Sequence, residues 1–325
     1  MGKGEQPRHG SMAVWPRKRA KRQQARVRSW NRQEKGLLGF PAYKAGMTHV
    51  MAVDSGKNSQ TKGETIFVPA TILECPAVKL YSVRFYTEDA YGRKVAKEFV
   101  VGKDRHLGRK LLTKKTHEAG LKGVDPKGFS DISVTIMTQP SRTGIGKKKP
   151  EILELAIGGT NEEKLAWVHD HLNKDIAVSE VFKEGDYADS HGITTGRGFQ
   201  GPVKRFGIGL KGHKSEKGRR APGTLGSWSG QQHFMYRVSH AGQTGYHQRT
   251  QYNNMILKIG ESPADVNPKG GIPRYGLLKG QYVLVKGSLQ GPNKRLLTLI
   301  KSIRLYVKRS LPTIESISTA SVQGR

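Results

Sequence analysis

Acidic residues are scarce in this chain. Its 325 residues include 26 aspartates and glutamates against 56 lysines and arginines, giving a formal charge of +30 and a pI near 10.2. Self-repulsion of that size is tolerable mainly where a polyanion neutralises it, so nucleic acid is the expected partner. Cysteine is nearly absent. The single Cys75 excludes an internal disulfide and any multi-cysteine zinc site, and points to a reducing compartment. Long apolar runs are missing: nothing approaches the roughly 18 consecutive residues of a spanning helix, and no basic helix has a clean apolar face. No membrane partner is expected. The basic N-terminus has no apolar core, so no secretory signal is expected either. With 35% hydrophobic and 7% aromatic residues, the chain can bury one or two modest cores carrying long extensions.

The stretch Gly196–Ile256 is the plainest extension, a run of glycines, bases, histidines, amides and isolated aromatics whose only acid is Glu216. Apolar residues recur there at neither helical nor strand spacing. Ordering a backbone costs about 1–2 kcal/mol per residue, which such a stretch cannot recover by burial alone. RNA could supply the difference. Lysines and arginines would meet phosphates, while Phe199, Phe206, Trp228, Phe234, Tyr236, Tyr246 and Tyr252 would offer faces to bases. Trp228, in GTLGSWSGQQ, lacks regularly spaced apolar neighbours and reads as a loop-tip residue rather than core. Residues 1–38 form a second basic extension, in which Trp15 and Trp30 point to an arm that orders on RNA rather than a solvated tail.

Between these extensions lie short β-branched and aromatic runs separated by Gly, Pro, Asn and Ser. Those in 39–102 read as the first half of a β-barrel. Residues 103–175 read as an α+β insertion. It contains a short helix within RHLGRKLLTKKTHEAGL, strands at ISVTIMTQP and EILELAIGG, and a helix at TNEEKLAWVHDHLNK. There Thr160 and Glu163 form a capping box and Leu165, Val168 and Leu172 share a face. Strand signals return at IAVSEVF, DYADSHGITTG, QYVLVKGSLQ and LLTLIKSIRLYV. They suggest a barrel continued over 176–202 and completed over 257–309, with 203–256 as a long central finger and 310–325 as a poorly packed tail. The fold class is mainly β with an α+β insertion.

Several catalytic and ligand motifs fail on inspection. Gly196-Gly198-Gly201 and Gly207-Gly209-Gly212 match G-x-G-x-x-G, but neither leads into a helical pattern, as a dinucleotide fingerprint requires. Their glycines fit close backbone approach to RNA better. SRTGIGKKK has Ser141 and Lys148 where a phosphate loop needs glycine and Ser/Thr. Its Lys147, Lys148 and Lys149 could touch RNA or be solvated. His169 and His171 fall on different helix faces. His233, His240 and His247 recur every seven residues, yet Gly242 and Gly245 interrupt them. No nucleophile stands beside a positioned base, and paired carboxylates are lacking, so no catalysis is expected. An RNA-processing enzyme or an assembly chaperone with basic arms is the alternative.

PRHGS at Pro7–Ser11, PRKRA at Pro16–Ala20, YKAGMTHV at Tyr43–Val50 and GGT…EKLAWV at 158–168 resemble the universal large-subunit ribosomal protein L-three family. So do TTGRGFQGPVKRFG, LGSWSG, HAGQTGYHQRTQYN and NKRLLTLIKS, in order along nearly the whole chain. The resemblance implies a translation-protein-type barrel with RNA-threading extensions. It also implies a cytoplasmic location in the large subunit, a role in nucleating assembly, and a loop tip at Trp228 near the peptidyl transferase centre. The RNA-binding residues it implies, with those the charge pattern selects, are Arg8, His9, Trp15, Arg17, Lys18, Arg19, Lys21, Arg22, Arg26, Arg28 and Lys44 in the first part of the chain. Further on they are Arg197, Lys204, Arg205, Lys211, His213, Lys214, Lys217, Arg219, Arg220, Trp228, Gln231, His233, Arg237, His240, His247 and Arg249. Implied neighbours are an L-fourteen and an L-twenty-four-type protein. No cofactor or small-molecule substrate is expected, though magnesium could accompany bound RNA. Two departures stand out. S-E-K-G around Glu216 replaces the T-H-R-G of eukaryotic members, and the chain stops soon after LTLIKS, which favours an archaeal member.

Overall fold

The computed structural model describes residues 8–112, 116–121, 123–226, 237–305 and 307–321. The strands are β1 (Gly36–Leu37), β2 (Gly39–Val53), β3 (Thr65–Glu74), β4 (Lys79–Asp89), β5 (Gly92–Val100), β6 (Asp131–Met137) and β7 (Ile152–Gly158). They continue with β8 (Tyr187–Ile193), β9 (Phe199–Gln200), β10 (Gly242–Gln243), β11 (Gln248–Gly260), β12 (Tyr282–Lys286), β13 (Leu296–Lys301) and β14 (Thr313–Ile317). The α-helices are α1 (Glu118–Leu121), α2 (Asn161–Asp170) and α3 (Pro202–Phe206). Two compact units result: a barrel unit of 23–192 with 250–325, and an arm unit of 1–22 with 193–249.

In the barrel unit, six strands run in the order β13, β8, β11, β12, β3, β2, and β2 then pairs with β13 to close the ring. Closure satisfies backbone groups that an open sheet would leave on its edges. Alternation along the strands fills the interior. Phe40, Ala42, Val50, Ala52, Val68, Ala70, Ile72, Val283, Val285, Leu297 and Leu299 are all buried. As expected, the late strands β12 and β13 close the ring on the early strands β3 and β2.

The second sheet of this unit, in the order β1, β7, β6, β4, β5, corrects the sequence reading. The runs at β4 and β5 were expected in the barrel, but they pair in this sheet. Every residue of β6 is buried, so its backbone needs a neighbour on each edge. β4 supplies one and β7 the other. Chain adjacency to β3 was a poorer guide than the wholly buried strand β6 further along the chain. Helix α2 has the expected capping box: the Thr160 side chain accepts from the Glu163 amide, and the Glu163 carboxylate accepts from the Thr160 amide. Val168 is buried, with Leu165 and Leu172 packed against the core.

Four smaller readings also change. IAVSEVF is a 3-10 turn at Val178–Glu180 with a single bridge from Ile176 to Val78, not a strand. The helix sought in RHLGRKLLTKKTHEAGL reduces to a 3-10 turn at Leu107–Arg109 and the short α1. The tail after Ser310 contains β14, which pairs with Val50–Val53 of β2 and lays Ile314 and Ile317 against the core. The first G-x-G-x-x-G string does lead into a helix, the five-residue α3. Pro202 presets its first turn, and Gly207, at φ +69°, ends it in the left-handed region.

Candidate nucleic-acid interface

The arm unit is built from segments that have almost no apolar material of their own. Residues 194–200 and 242–247 are held together by backbone bonds. Thr194 donates to His247 (3.0 Å), Arg197 to Thr244 (2.9 Å), Thr244 to Gly198 (2.8 Å) and Tyr246 to Thr195 (3.2 Å), around the short β9–β10 ladder. Gly245 makes this closure possible. Its φ is +68°, and a Cβ there would lie 2.0 Å from the Thr195 carbonyl oxygen.

Helix α3 packs beside this ladder and buries Pro202 and Phe206. Phe206, expected to offer a stacking face to a base, instead anchors the N-terminal arm. Trp15 lies 6.1 Å from it between ring centroids, the Arg17 guanidinium sits 4.3 Å over its ring, and Gly10 approaches so closely that a Cβ would fall 2.6 Å from Cδ1. A large ring in a unit this poor in apolar side chains is worth more buried than exposed.

Arg205 binds three chain segments together. It donates from Nε to the Gln243 carbonyl (3.1 Å), from Nη1 to His240 (2.9 Å) and from Nη2 to Arg17 (3.3 Å). Arg17 returns a bond to the Arg205 carbonyl at 3.0 Å, and Arg8 donates to the Arg237 carbonyl at 2.7 Å. The guanidinium fork suits several carbonyls at once, so Arg205 is a clasp rather than the phosphate contact expected of it. His247 is buried, and its Nδ1 donates to the Lys18 carbonyl at 2.9 Å. Ala20 donates to Tyr246 at 2.8 Å, and Arg19 lies 4.9 Å over the Tyr246 ring.

This arrangement concentrates positive charge without neutralising it. Glu216 is the only acid in the described segments of the unit, and among the described residues no carboxylate pairs with Arg8, Arg17 or Arg205. Burial lowers the pKa of Arg17, Arg205 and Arg249. The guanidinium of Arg8 adds to the effect at Arg17, and that of Arg17 adds to it at Arg205 and Arg249. Burial also lowers His247. The bond to Lys18 opposes that shift, while Arg249, Arg205 and Arg17 reinforce it.

Outside this cluster the unit presents a rim of cations. Arg8, His9, Lys18, Arg19, Lys21, Arg22, Arg197, Lys204, Lys211, His213, Lys214, Lys217, Arg220 and Arg237 are exposed. Trp15, Arg219, His240 and Arg249 are half-buried, and Arg219 donates from Nε to the Lys211 carbonyl at 3.2 Å. Phe199, 76% exposed, offers a bare aromatic face. Trp228, Gln231 and His233, with Phe234 and Tyr236, lie outside the described residues.

Three members of the expected set belong to the barrel unit. Arg26 and Arg28 are exposed there. Lys44 is corrected: it is 8% exposed, its ammonium donates to the carbonyls of Leu289 (2.5 Å) and Gly291 (3.0 Å), and burial lowers its pKa. Its position in β2 turns the side chain towards the loop after β12, where backbone carbonyls take up its ammonium. The structural need for glycine at Gly10 and Gly245 is set in each case by an atom far away in the chain, which local sequence does not show.

The family model for Ribosomal protein L3 matches residues 1–324. The chain belongs to the ribosomal protein L3 family. Among its relatives, the large ribosomal subunit protein uL3 of Methanothermobacter thermautotrophicus is 45% identical over all of both chains. That of Archaeoglobus fulgidus is 44% identical over 99% of this chain and 100% of its own, and that of Methanococcus vannielii 42% identical over 99% of each. These archaeal relatives are ribosomal proteins, and the family is structural rather than enzymatic.

Proposed function

We propose that this chain, a ribosomal protein of the large subunit in the cytoplasm, binds large-subunit ribosomal RNA through its arm unit and holds together RNA helices that would otherwise repel one another. The observation that carries the reading is the Arg17–Arg205–Arg249 cluster, packed without a described carboxylate to neutralise Arg17 or Arg205 and ringed by exposed lysines and arginines. Phosphates would relieve that charge and release counterions, and Phe199 would stack on a base. Magnesium would come with the RNA. In this reading the finger, cut back from 203–256 because β11 (Gln248–Gly260) is a barrel strand, reaches towards the peptidyl transferase centre with Trp228 at its tip. The chain helps nucleate subunit assembly, and its protein neighbours are an L-fourteen and an L-twenty-four-type protein.

Binding of large-subunit RNA, measured against salt, tests this. The Lys211→Ala, Lys214→Ala and Lys217→Ala variants should each weaken binding and each reduce the slope of log affinity against log salt by about one. Affinity independent of salt for the native chain would overturn the reading. Chemical footprinting with residues 227–236 replaced by a glycine-serine linker tests the reach of the tip: protections near the peptidyl transferase centre should disappear while the others remain.

A further inference from the structure

The outer wall of the barrel unit includes a stretch without charge. Residues 47–53 of β2 and 65–71 of β3 contain no lysine, arginine, aspartate or glutamate, in a chain where these make up 25% of the residues. Val50, Ala52, Val68 and Ala70 fill the interior, so strand alternation turns Met47, His49, Met51, Phe67 and Pro69 outward. The register sets Met51 opposite Phe67 and His49 opposite Pro69. Phe67 is 62% exposed and Met47 48%. His49 stacks on the Phe67 ring, with centroids 4.7 Å and planes 27° apart, which holds the ring in place and leaves the rest of it in water.

Each kind of partner makes a different demand on such a strip. A nucleic-acid backbone needs cations for its phosphates, and the strip has none to give. An added strand needs free backbone donors at a sheet edge. Strand β12 runs beside β3 only as far as the pair Lys286 with Ala70, and the next residue of β3 at that edge is Pro69. Its carbonyl accepts from the Gly287 amide at 2.7 Å, but its nitrogen donates nothing, so the edge is closed to further pairing. What remains is packing against the face itself. Around the strip the side chains turn polar: Thr65 donates to Glu315 at 3.1 Å, and Lys286 is exposed. An apolar centre of phenylalanine and methionine, free of lysine and set inside a polar rim, has the anatomy of a protein interface.

We propose that this strip is a protein-docking surface, taking the uncharged apolar face of a neighbouring large-subunit protein with Phe67 and Met47 as its anchors. Charge complementarity sets the partner's chemistry. A charged side chain laid on the strip would lose water and find no counter-charge, so the contacting groups are aliphatic or aromatic. The surface deepens the proposed partnership with neighbouring proteins and rests on that reading, while it is independent of the arm unit's RNA contacts.

The test uses the full chain. With the photocrosslinker benzoyl-phenylalanine in place of Phe67, the chain assembled into large subunits should crosslink to another protein of the subunit and not to RNA. The double variant Phe67→Ser with Met47→Ser then measures what the anchors contribute. Both side chains are exposed, so its melting temperature, its RNA affinity and the salt slope of that affinity should match those of the native chain. Its binding to the crosslinked protein, purified, should weaken at least about tenfold. Phe67→Leu, which keeps an apolar anchor, should retain most of the binding. A crosslink to RNA, or a loss of RNA affinity in the double variant, would make the strip an RNA contact and overturn the proposal. A crosslink within the chain itself, no crosslink at all, or partner binding unchanged in the double variant would overturn it as well. The native chain's RNA affinity, measured against salt alongside, reports separately on the arm-unit reading.

Discussion

Gly245 and His247, two residues apart, tie the arm unit together by different means. At Gly245 the φ of +68° and the 2.0 Å separation between a built Cβ and the Thr195 oxygen leave no room for a side chain. Gly245→Ala should cost about 2 kcal/mol or more within the arm unit. Amide exchange should quicken at Thr194, Arg197 and Thr244, while the barrel strands keep their protection; unchanged exchange at those amides would refute the argument. His247 offers a pH test. Its folded pKa is lowered, so the folded state binds fewer protons than the unfolded chain, in which the group titrates near 6.5. Its contribution to stability is therefore complete above pH 6.5 and is lost as pH falls through the lower folded value. The groups facing it, the Lys18 carbonyl and Arg17, Arg205 and Arg249, keep their charge state across that range. Protection of Ala20 and Tyr246 should fall on acidification below 6.5. His191, also lowered by burial and bonded to Thr250, should loosen the barrel unit in the same range, so exchange resolved by segment distinguishes the two.

At the level of elements, sequence pattern was informative where a local rule applied. The α2 capping box needs only Thr160 and Glu163 three residues apart, and the structure has both of its bonds. The barrel strands β2, β3, β12 and β13 announce themselves by β-branched and aromatic runs. Placing β4 and β5 required knowing which strand lacked a partner, and that depends on β6, far along the chain. β14 was hidden because TIESI is short and polar outside Ile314 and Ile317. In the candidate interface, charge pattern found the cations but could not separate exposed ones from those used internally. Arg205 and Lys44 both spend their donors on carbonyls. Arg205→Lys separates these roles, since it keeps the charge and loses the fork. Exchange at Ala20 should rise about tenfold, equivalent to losing roughly 1.4 kcal/mol of hydrogen bonding, while the salt slope of RNA binding stays the same. Were Arg205 a phosphate contact instead, lysine would substitute for it and exchange at Ala20 would not change.

For the whole molecule, the excess of 30 positive charges acts in opposite directions on folding and on binding. In the free chain, like charges repel. The Debye length shortens from about 30 Å at 0.01 M salt to about 10 Å at 0.1 M, so screening should relieve that repulsion between exposed cations. The melting temperature of the free protein should therefore rise over this interval. RNA binding draws on the same charges through counterion release, and its affinity should fall over the same interval, by orders of magnitude if six or more phosphates are engaged. The two trends have one cause and must appear together. The barrel unit carries ion pairs of its own, such as Lys164 with Asp131 and Arg84 with Glu154, which screening weakens slightly. The rise should therefore appear mainly in the arm unit's exchange protection, where Arg17 and Arg205 lack a described carboxylate. A melting temperature that falls with salt, alongside an RNA affinity that does not, would mean that the surplus charge is neutralised within the fold and that the arm unit needs no polyanion.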